Sequence, residues 1–368
     1  MKRISFLLII SLFASIFCNN IHAAESVRDS ILWNFDWKFK AGDIADAWQK
    51  DFDDSDWRVL DLPHDFQIEQ EWVAPKADEK ANKSDDAANT KSELSARAFK
   101  AMGKAWYRKT FVPSEELKDK RVLLDFEGLM YVGDVYLNGE KIASCDYGYL
   151  GFEIDITAKL RWGEENVIAV MADTGSSKNS RWYTGGGLFR DVHLILTAKD
   201  LYLTRHPLKI TTETKGDKGI VYFQAEACNK LKSKPSKMNF MVRVFDANNQ
   251  LVAEHQAHPD YYRRQSTSEY SLDSIVIEHV QLWDCEHPYL YRAEVSLLYP
   301  DGSVADQVST HFGVRTISFS PEYGMKLNGQ KVLLKGVANH HDLGWLGAAV
   351  YDEALEQRIL LLKEFGFN

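Results

Sequence analysis

His340-His341-Asp342 is the run in this sequence with the most evident chemical capability. Imidazole titrates near neutrality and a carboxylate can accept a proton, so the run reads superficially as an acid/base pair or a set of metal ligands. Adjacent residues on one loop point in different directions, however, which favours a loop-shaping role over convergence on one ion. Gly185-Gly186-Gly187 could cradle a phosphate, but no Lys follows and no strand gives way to a helix, so that reading is set aside. Cys145, Cys228 and Cys285 are few, unclustered and odd in number once a leader containing Cys18 is removed. Neither a disulfide framework nor a zinc site is indicated, although Cys228 and Cys285 fall in one predicted domain and could pair.

The elements that must position these residues are mostly short strands. Arg121–Phe126, Asp134–Leu137, Lys141–Ala143, Val167–Met171 and Val192–Leu196 alternate or run apolar, and Asn138-Gly139 supplies a two-residue hairpin turn. Many short strands at this spacing predict a jelly roll or sandwich over residues 25–198. Within it, residues 73–105 are rich in Lys, Asp, Glu, Ala and Asn and read as an exposed insertion. A second β unit over residues 199–315, with about seven strands, predicts an immunoglobulin-like sandwich. From residue 316 a hairpin at Asn328-Gly329, a strand over Lys331–Val337, the His-His-Asp loop and a helix capped by Asp352 form one β/α unit. Leu355, Ile359 and Leu362 fall on one face of that helix, and Gly366 marks its end. A single β/α unit cannot bury its own faces, so the segment from about Ile317 is expected to be poorly ordered, to dock on the second domain or to self-associate.

Residues 1–24 read as a secretory leader: basic Lys2 and Arg3, an apolar run from Phe6 to Phe17, and a cleavage site offered by Ile21-His22-Ala23. Export to the periplasm or the extracellular space follows as an expectation. Phe17 stands before Cys18 where lipid attachment would require a small residue. The formal net charge is −9, and more negative without Lys2 and Arg3, which argues against nucleic acid and anionic membranes as partners. Ten Trp, 16 Tyr and 19 Phe favour a β-rich fold and supply faces that can stack on sugar rings.

Three stretches together resemble the family-two glycoside hydrolases. They are Asp56-Trp57-Arg58-Val59-Leu60-Asp61-Leu62-Pro63-His64-Asp65 with Trp106-Tyr107-Arg108-Lys109, then Ser180 through Val192, then Leu327-Asn328-Gly329 through Ala348. Trp283 with Pro288-Tyr289-Leu290-Tyr291 is a weaker fourth. The resemblance implies a sugar-binding-like jelly roll, an immunoglobulin-like sandwich and the first unit of a TIM barrel. It is nearest to the β-galactosidases, with β-glucuronidase or β-mannosidase specificity, or a non-catalytic carbohydrate-binding protein, as alternatives. Family members retain configuration by means of two glutamates, the acid/base one following an Asn. This sequence contains no Asn-Glu dipeptide, so neither glutamate is assigned and the chain reads as the family's N-terminal portion, inactive alone.

The resemblance also places Asp173 where a family carboxylate contacts the sugar, although Thr174 stands where Asn is usual. Arg181 and Trp182 would pack the first domain on the barrel and border the substrate. His340, His341 and Asp342 would lie at the active-site end of the first barrel strand. The implied partner is a β-linked oligosaccharide or glycoside. No organic cofactor is expected and no metal ligand is assigned; metal use by the barrel and homo-oligomer formation are left open.

Overall fold

The computed structural model describes residues 20–21, 27–74, 98–175, 182–232, 237–261 and 266–368. The predicted leader lies outside them apart from Asn20–Ile21, which pairs in parallel with Val112 and Pro113. The core of the charged insertion, residues 75–97, also lies outside them. Its flanks are pinched together: Val73 N donates to Phe99 O at 2.6 Å and Ala101 N to Glu71 O at 2.9 Å. Lys104 and Ala105, counted in the insertion from composition, already belong to the strand Lys104–Pro113, and Ala105 is fully buried.

Two sheets form the first unit, antiparallel throughout apart from the Asn20–Ile21 pairing on Lys104–Pro113. One runs in the order Arg58–Leu60, Trp37–Ala41, Lys104–Pro113, Asn166–Asp173, Val132–Leu137, Glu140–Cys145. The other runs Asp29–Leu32, Val192–Ala198, Lys120–Phe126, Phe152–Asp155. Alternating side chains from both sheets meet in one core of Trp33, Trp37, Tyr107, Phe111, Leu124, Phe126, Val170 and Leu194. The Trp106-to-Lys109 stretch contributes to this frame. Arg108 is buried beneath the loop at residues 47–50, donating to Asp54 Oδ2 at 2.7 Å and to the carbonyls of Ala47, Gln49 and Lys50.

A three-stranded and a four-stranded sheet build the second unit around Phe223, Phe240, Tyr270 and Val295. The chain is therefore mainly β, with jelly-roll-like and immunoglobulin-like parts as read from the sequence. Arg28 fastens the two units. Its guanidinium donates to both oxygens of the solvent-inaccessible Asp306 at 2.8 Å and to Leu203 O at 2.6 Å. Leu203 N also donates to Asp306 Oδ2 at 2.7 Å, and Gln307 N to Oδ1 at 2.8 Å. Cys145, Cys228 and Cys285 are free thiols, so the Cys228–Cys285 pairing is not formed.

The last segment departs most from expectation. Ile317–Ser320, Gly324–Leu327 and Gln330–Lys331 form a small sheet, but residues 333–337 have no strand partner among the described residues. A parallel strand exists only beside a neighbour. Here the backbone of Leu333 and Lys335 pairs with Asn368 instead: Lys335 N donates to its Oδ1 at 2.9 Å, and Asn368 Nδ2 donates to Leu333 O at 3.2 Å. The helix Asp352–Glu364 takes Tyr351, not Asp352, as its N-cap. Its end matches the reading: Gly366 N bonds Lys363 O and Phe367 N bonds Leu362 O, the paired closure of a glycine-terminated helix. Residues 341–351 dock on the first unit rather than the second, whereas Ile359, Leu360 and Leu361 on the helix remain exposed.

Candidate functional site

The docking is organised by Asp65, which the sequence reading quoted within a motif but did not single out. Asp65 ends the Leu62-Pro63-His64 run and is almost fully buried. Its Oδ1 accepts from Gln67 N at 2.9 Å and Gly186 N at 2.8 Å. Its Oδ2 accepts from Tyr183 Oη at 2.7 Å and Ala348 N at 2.8 Å. One carboxylate thus joins its own turn, the Tyr183–Gly186 loop and the segment after the His-His-Asp loop. Burial pushes the Asp65 carboxyl above the usual carboxylate range, with the four donated bonds opposing that shift. Desolvation, followed by the nearby Asp65 charge, likewise holds the Tyr183 phenol far above its ordinary value, so it remains a donor. Such a residue has a sequence signal in hindsight: an acidic side chain inside an otherwise apolar Leu-Pro-His-Asp-Phe run must find donors when it folds inward.

His64 next to it donates to or accepts from Tyr107 Oη at 2.8 Å, with Glu69 and Arg58 on its other ring nitrogen. Burial lowers its pKa, and the charges of Glu69 and Asp65 oppose that while Arg58 adds to it. The unfolded chain then binds a proton at His64 more readily than the folded one. The stabilisation is full above about pH 6.5, the unfolded value, and is lost as pH falls through the lower folded value. His64→Asn is therefore expected to flatten the acid side of the stability profile. Urea titrations from pH 7.5 to 5 on both proteins measure this, and parallel profiles would exclude His64 as the source.

Near the Asp65 junction, three of the residues singled out from sequence, Trp182, His340 and His341, gather around Tyr149. The ring of His340 meets Trp182 edge-on at 5.4 Å, and His341 meets Tyr149 at 5.5 Å and Phe189 at 5.9 Å. His341 Nε2 lies 3.1 Å from Thr184 O, which can only accept, so that nitrogen carries the proton. Trp182 Nε1 donates to Tyr149 Oη at 2.8 Å. The conformation of the His-His-Asp loop is held from the helix: Arg358 donates to Asn339 Oδ1 at 3.1 Å, to His340 O at 2.8 Å and to Asp342 O. His340 and His341 thus face different rings, as expected of adjacent loop residues, and Asp342 is bound through its backbone.

Asp173 is not part of this cluster among the described residues. It ends its strand, accepts from Gly175 N at 2.7 Å, and lines a separate open groove of about 610 Å³ with Gly42, Asp43, Gln70, Met102 and Lys104. The hydrogen bond to Gly175 is that of a turn carboxylate. Thr174 is buried and its hydroxyl accepts from Gly103 N at 3.1 Å, a structural role. Arg181 lies outside the described residues. Among the described residues, Glu127, Asp191 and His193 could offer metal-ligand atoms within 4.8 Å of one another. Asn34 already donates to Asp191 Oδ1 at 2.8 Å and His193 faces Glu127 at 3.4 Å, which is an ion pair with an amide-capped neighbour.

Comparison with known proteins bears on both units. A family model described as glycosyl hydrolase 2 galactose-binding domain-like matches residues 79–183, and one described as glycosyl hydrolases family 2 matches residues 205–315. The chain is 33% identical over 343 residues to the β-galactosidase BoGH2A of Bacteroides ovatus, covering 93% of this chain and 38% of that protein. It is 29% identical over 354 residues to a putative β-glucuronidase of Formosa agariphila, covering 96% of this chain and 31% of that one. A crystal structure of a glycosyl hydrolase family 2 member from Bacteroides cellulosilyticus superposes with a TM-score of 0.80 at 34% identity, over 92% of this chain and 42% of that one. The chain therefore spans about a third to two-fifths of the length of these relatives.

Proposed function

The chain belongs to glycosyl hydrolase family 2, and from that premise we propose that it serves the hydrolysis of terminal β-galactosides by an exported enzyme acting with retention. The observation that carries the site is the cluster of Trp182, Tyr149, His340 and His341, where the sugar-binding-like unit and the His-His-Asp loop meet. Aromatic faces and hydroxyl donors side by side suit a ligand with apolar ring faces and polar edges. Support for galactose over glucuronic acid comes from the 33% identity to a β-galactosidase. It comes also from Arg358, the cation seen among the described residues to hydrogen-bond this loop, whose guanidinium is already committed to three loop oxygens. A glucuronide would present a carboxylate that requires a cation of its own. The second reading, β-glucuronidase, is favoured by the 29% identity to a putative one. Export rests on the leader-like residues 1–24.

In this reading the present residues bind and orient, and two glutamates supply the acid/base and the nucleophile. Residues 1–368, purified and assayed alone, are expected to give no turnover of an aryl β-galactoside, because the acid/base glutamate that follows an Asn has no counterpart in the sequence. The polypeptide read from the coding DNA through Asn368 and onward, where it carries both glutamates, is expected to release aglycone faster from the galactoside than from the glucuronide or mannoside. Faster release from the glucuronide overturns the galactoside assignment. Turnover by residues 1–368 that disappears on mutation within them overturns the division of roles.

A further inference from the structure

We infer that Tyr147, Tyr149 and Trp182 form a stacking surface for a pyranose ring of the β-glycoside. The inference rests on the glycoside-hydrolysing reading above and adds to it a place and a mode of contact. Tyr147 is 59% exposed and Trp182 37% exposed, values far above those of the core aromatics. They are not scattered. Tyr147 and Tyr149 contact each other with ring centroids 5.6 Å apart, and Trp182 joins them through its indole N–H on Tyr149 Oη. Large exposed rings that touch one another form an apolar patch of the kind that marks a contact surface, and a pyranose presents C–H groups on one face that suit an aromatic ring.

The presentation of these rings is built in. Gly148 sits between the two tyrosines, and a Cβ there would lie 2.9 Å from Leu129 O and 2.7 Å from Met130 Sδ. Only a residue without a side chain lets the loop press this closely on the Leu129–Met130 backbone. Leu150 N closes the turn on Tyr147 O at 3.3 Å. On the far side, His340 stands edge-on to Trp182 and His341 edge-on to Tyr149, so both rings are buttressed from the docked segment. Tyr149 accepts the indole proton and retains its own hydroxyl proton, which can be donated to a sugar hydroxyl. Burial raises the Tyr149 phenol, so it keeps that proton at neutral pH.

Isothermal titration of the 368-residue chain with methyl β-galactoside, and separately with methyl β-glucuronide, tests the inference. Tyr147→Ala and Trp182→Ala are expected to weaken galactoside binding about five- to tenfold each, and Tyr147→Phe to keep it, since the ring face is what binds. The thermal midpoint of Tyr147→Ala should match wild type, because that ring is 59% exposed, whereas Trp182→Ala removes a mostly covered ring bonded to Tyr149, so its binding is measured well below its own midpoint. Galactoside binding that survives both alanine variants overturns the stacking surface and leaves the galactoside reading standing. Glucuronide binding that the alanine variants abolish, without galactoside binding, supports the surface and overturns the galactoside reading. Absence of binding by either glycoside overturns the surface.

Discussion

Asp65→Ala is expected to lower the unfolding free energy by at least about 3 kcal/mol and to release the His-His-Asp segment from the first unit. Four donors converge on this carboxylate: three backbone N–H groups and the Tyr183 phenol. Each hydrogen bond to a charged acceptor contributes about 1.5–3 kcal/mol, and a donor left buried without a partner costs about 1–3 kcal/mol. The cavity is too enclosed for all four to find water, since Gly186 and Ala348 are themselves buried. Asp65→Asn should be intermediate, because one amide oxygen can accept while the NH2 group faces donors. Urea unfolding gives the energy. Limited trypsin digestion gives the location, with cleavage after Arg358 and Lys335 accelerating in both variants. A loss below about 1 kcal/mol with unchanged cleavage would show that Asp65 does not hold the junction.

Gly187→Ala is expected to cost about 3 kcal/mol or more, through the same loop. Gly187 has φ near +108°, and a Cβ there would lie 2.2 Å from Tyr107 Oη and 3.2 Å from His64 O. The backbone cannot yield, since Gly187 exchanges hydrogen bonds with Met130 in both directions, at 2.7 and 2.9 Å. Tyr107 cannot yield either, being solvent-inaccessible and bonded to His64. Left-handed strain alone costs about 1–2 kcal/mol, and overpacking adds about 1–3 kcal/mol. Gly302→Ala is the internal control, with φ near +88° but nothing within 4 Å of the added methyl. It should show the backbone cost only. Equal effects of the two substitutions on the urea midpoint would remove the packing explanation.

Much of the frame was legible from local pattern. Alternation placed the strands around Arg121–Phe126 and Val167–Met171, and the structure extends them by one or two residues at their ends. Asn138-Gly139 and Asn328-Gly329 turn as read, with positive φ at all four residues, because short polar and unsubstituted residues tolerate that region. The strand over 331–337 was misread for a physical reason: its apolar run has strand propensity, but pairing is a property of a neighbour and not of the run. The helix cap shifted from Asp352 to Tyr351 because the chain is already helical at Asp352.

The candidate site was legible only in part. Trp182, His340 and His341 were named from sequence and do meet. Asp173 was named with them, yet its carboxylate turns back on Gly175. Asp65 stood only inside a motif, with no role of its own, and Tyr149 was not named. Nothing in their immediate sequence shows that residues 118 positions apart share a hydrogen bond, as Asp65 and Tyr183 do.

By itself, then, the sequence determined the β-rich class, the turns, the acidic surface and the family, because these follow from composition, short-range periodicity and fixed motifs. Tertiary structure alone decided that the His-His-Asp segment seats on the first unit, that Asp65 is the acceptor at that junction, and that Tyr149 stands between Trp182 and His341. The reason is that burial of a charge is settled by which distant donors the fold brings to it, here Gly186, Tyr183 and Ala348. No residue's type or spacing carries that information until the sheets have closed around it.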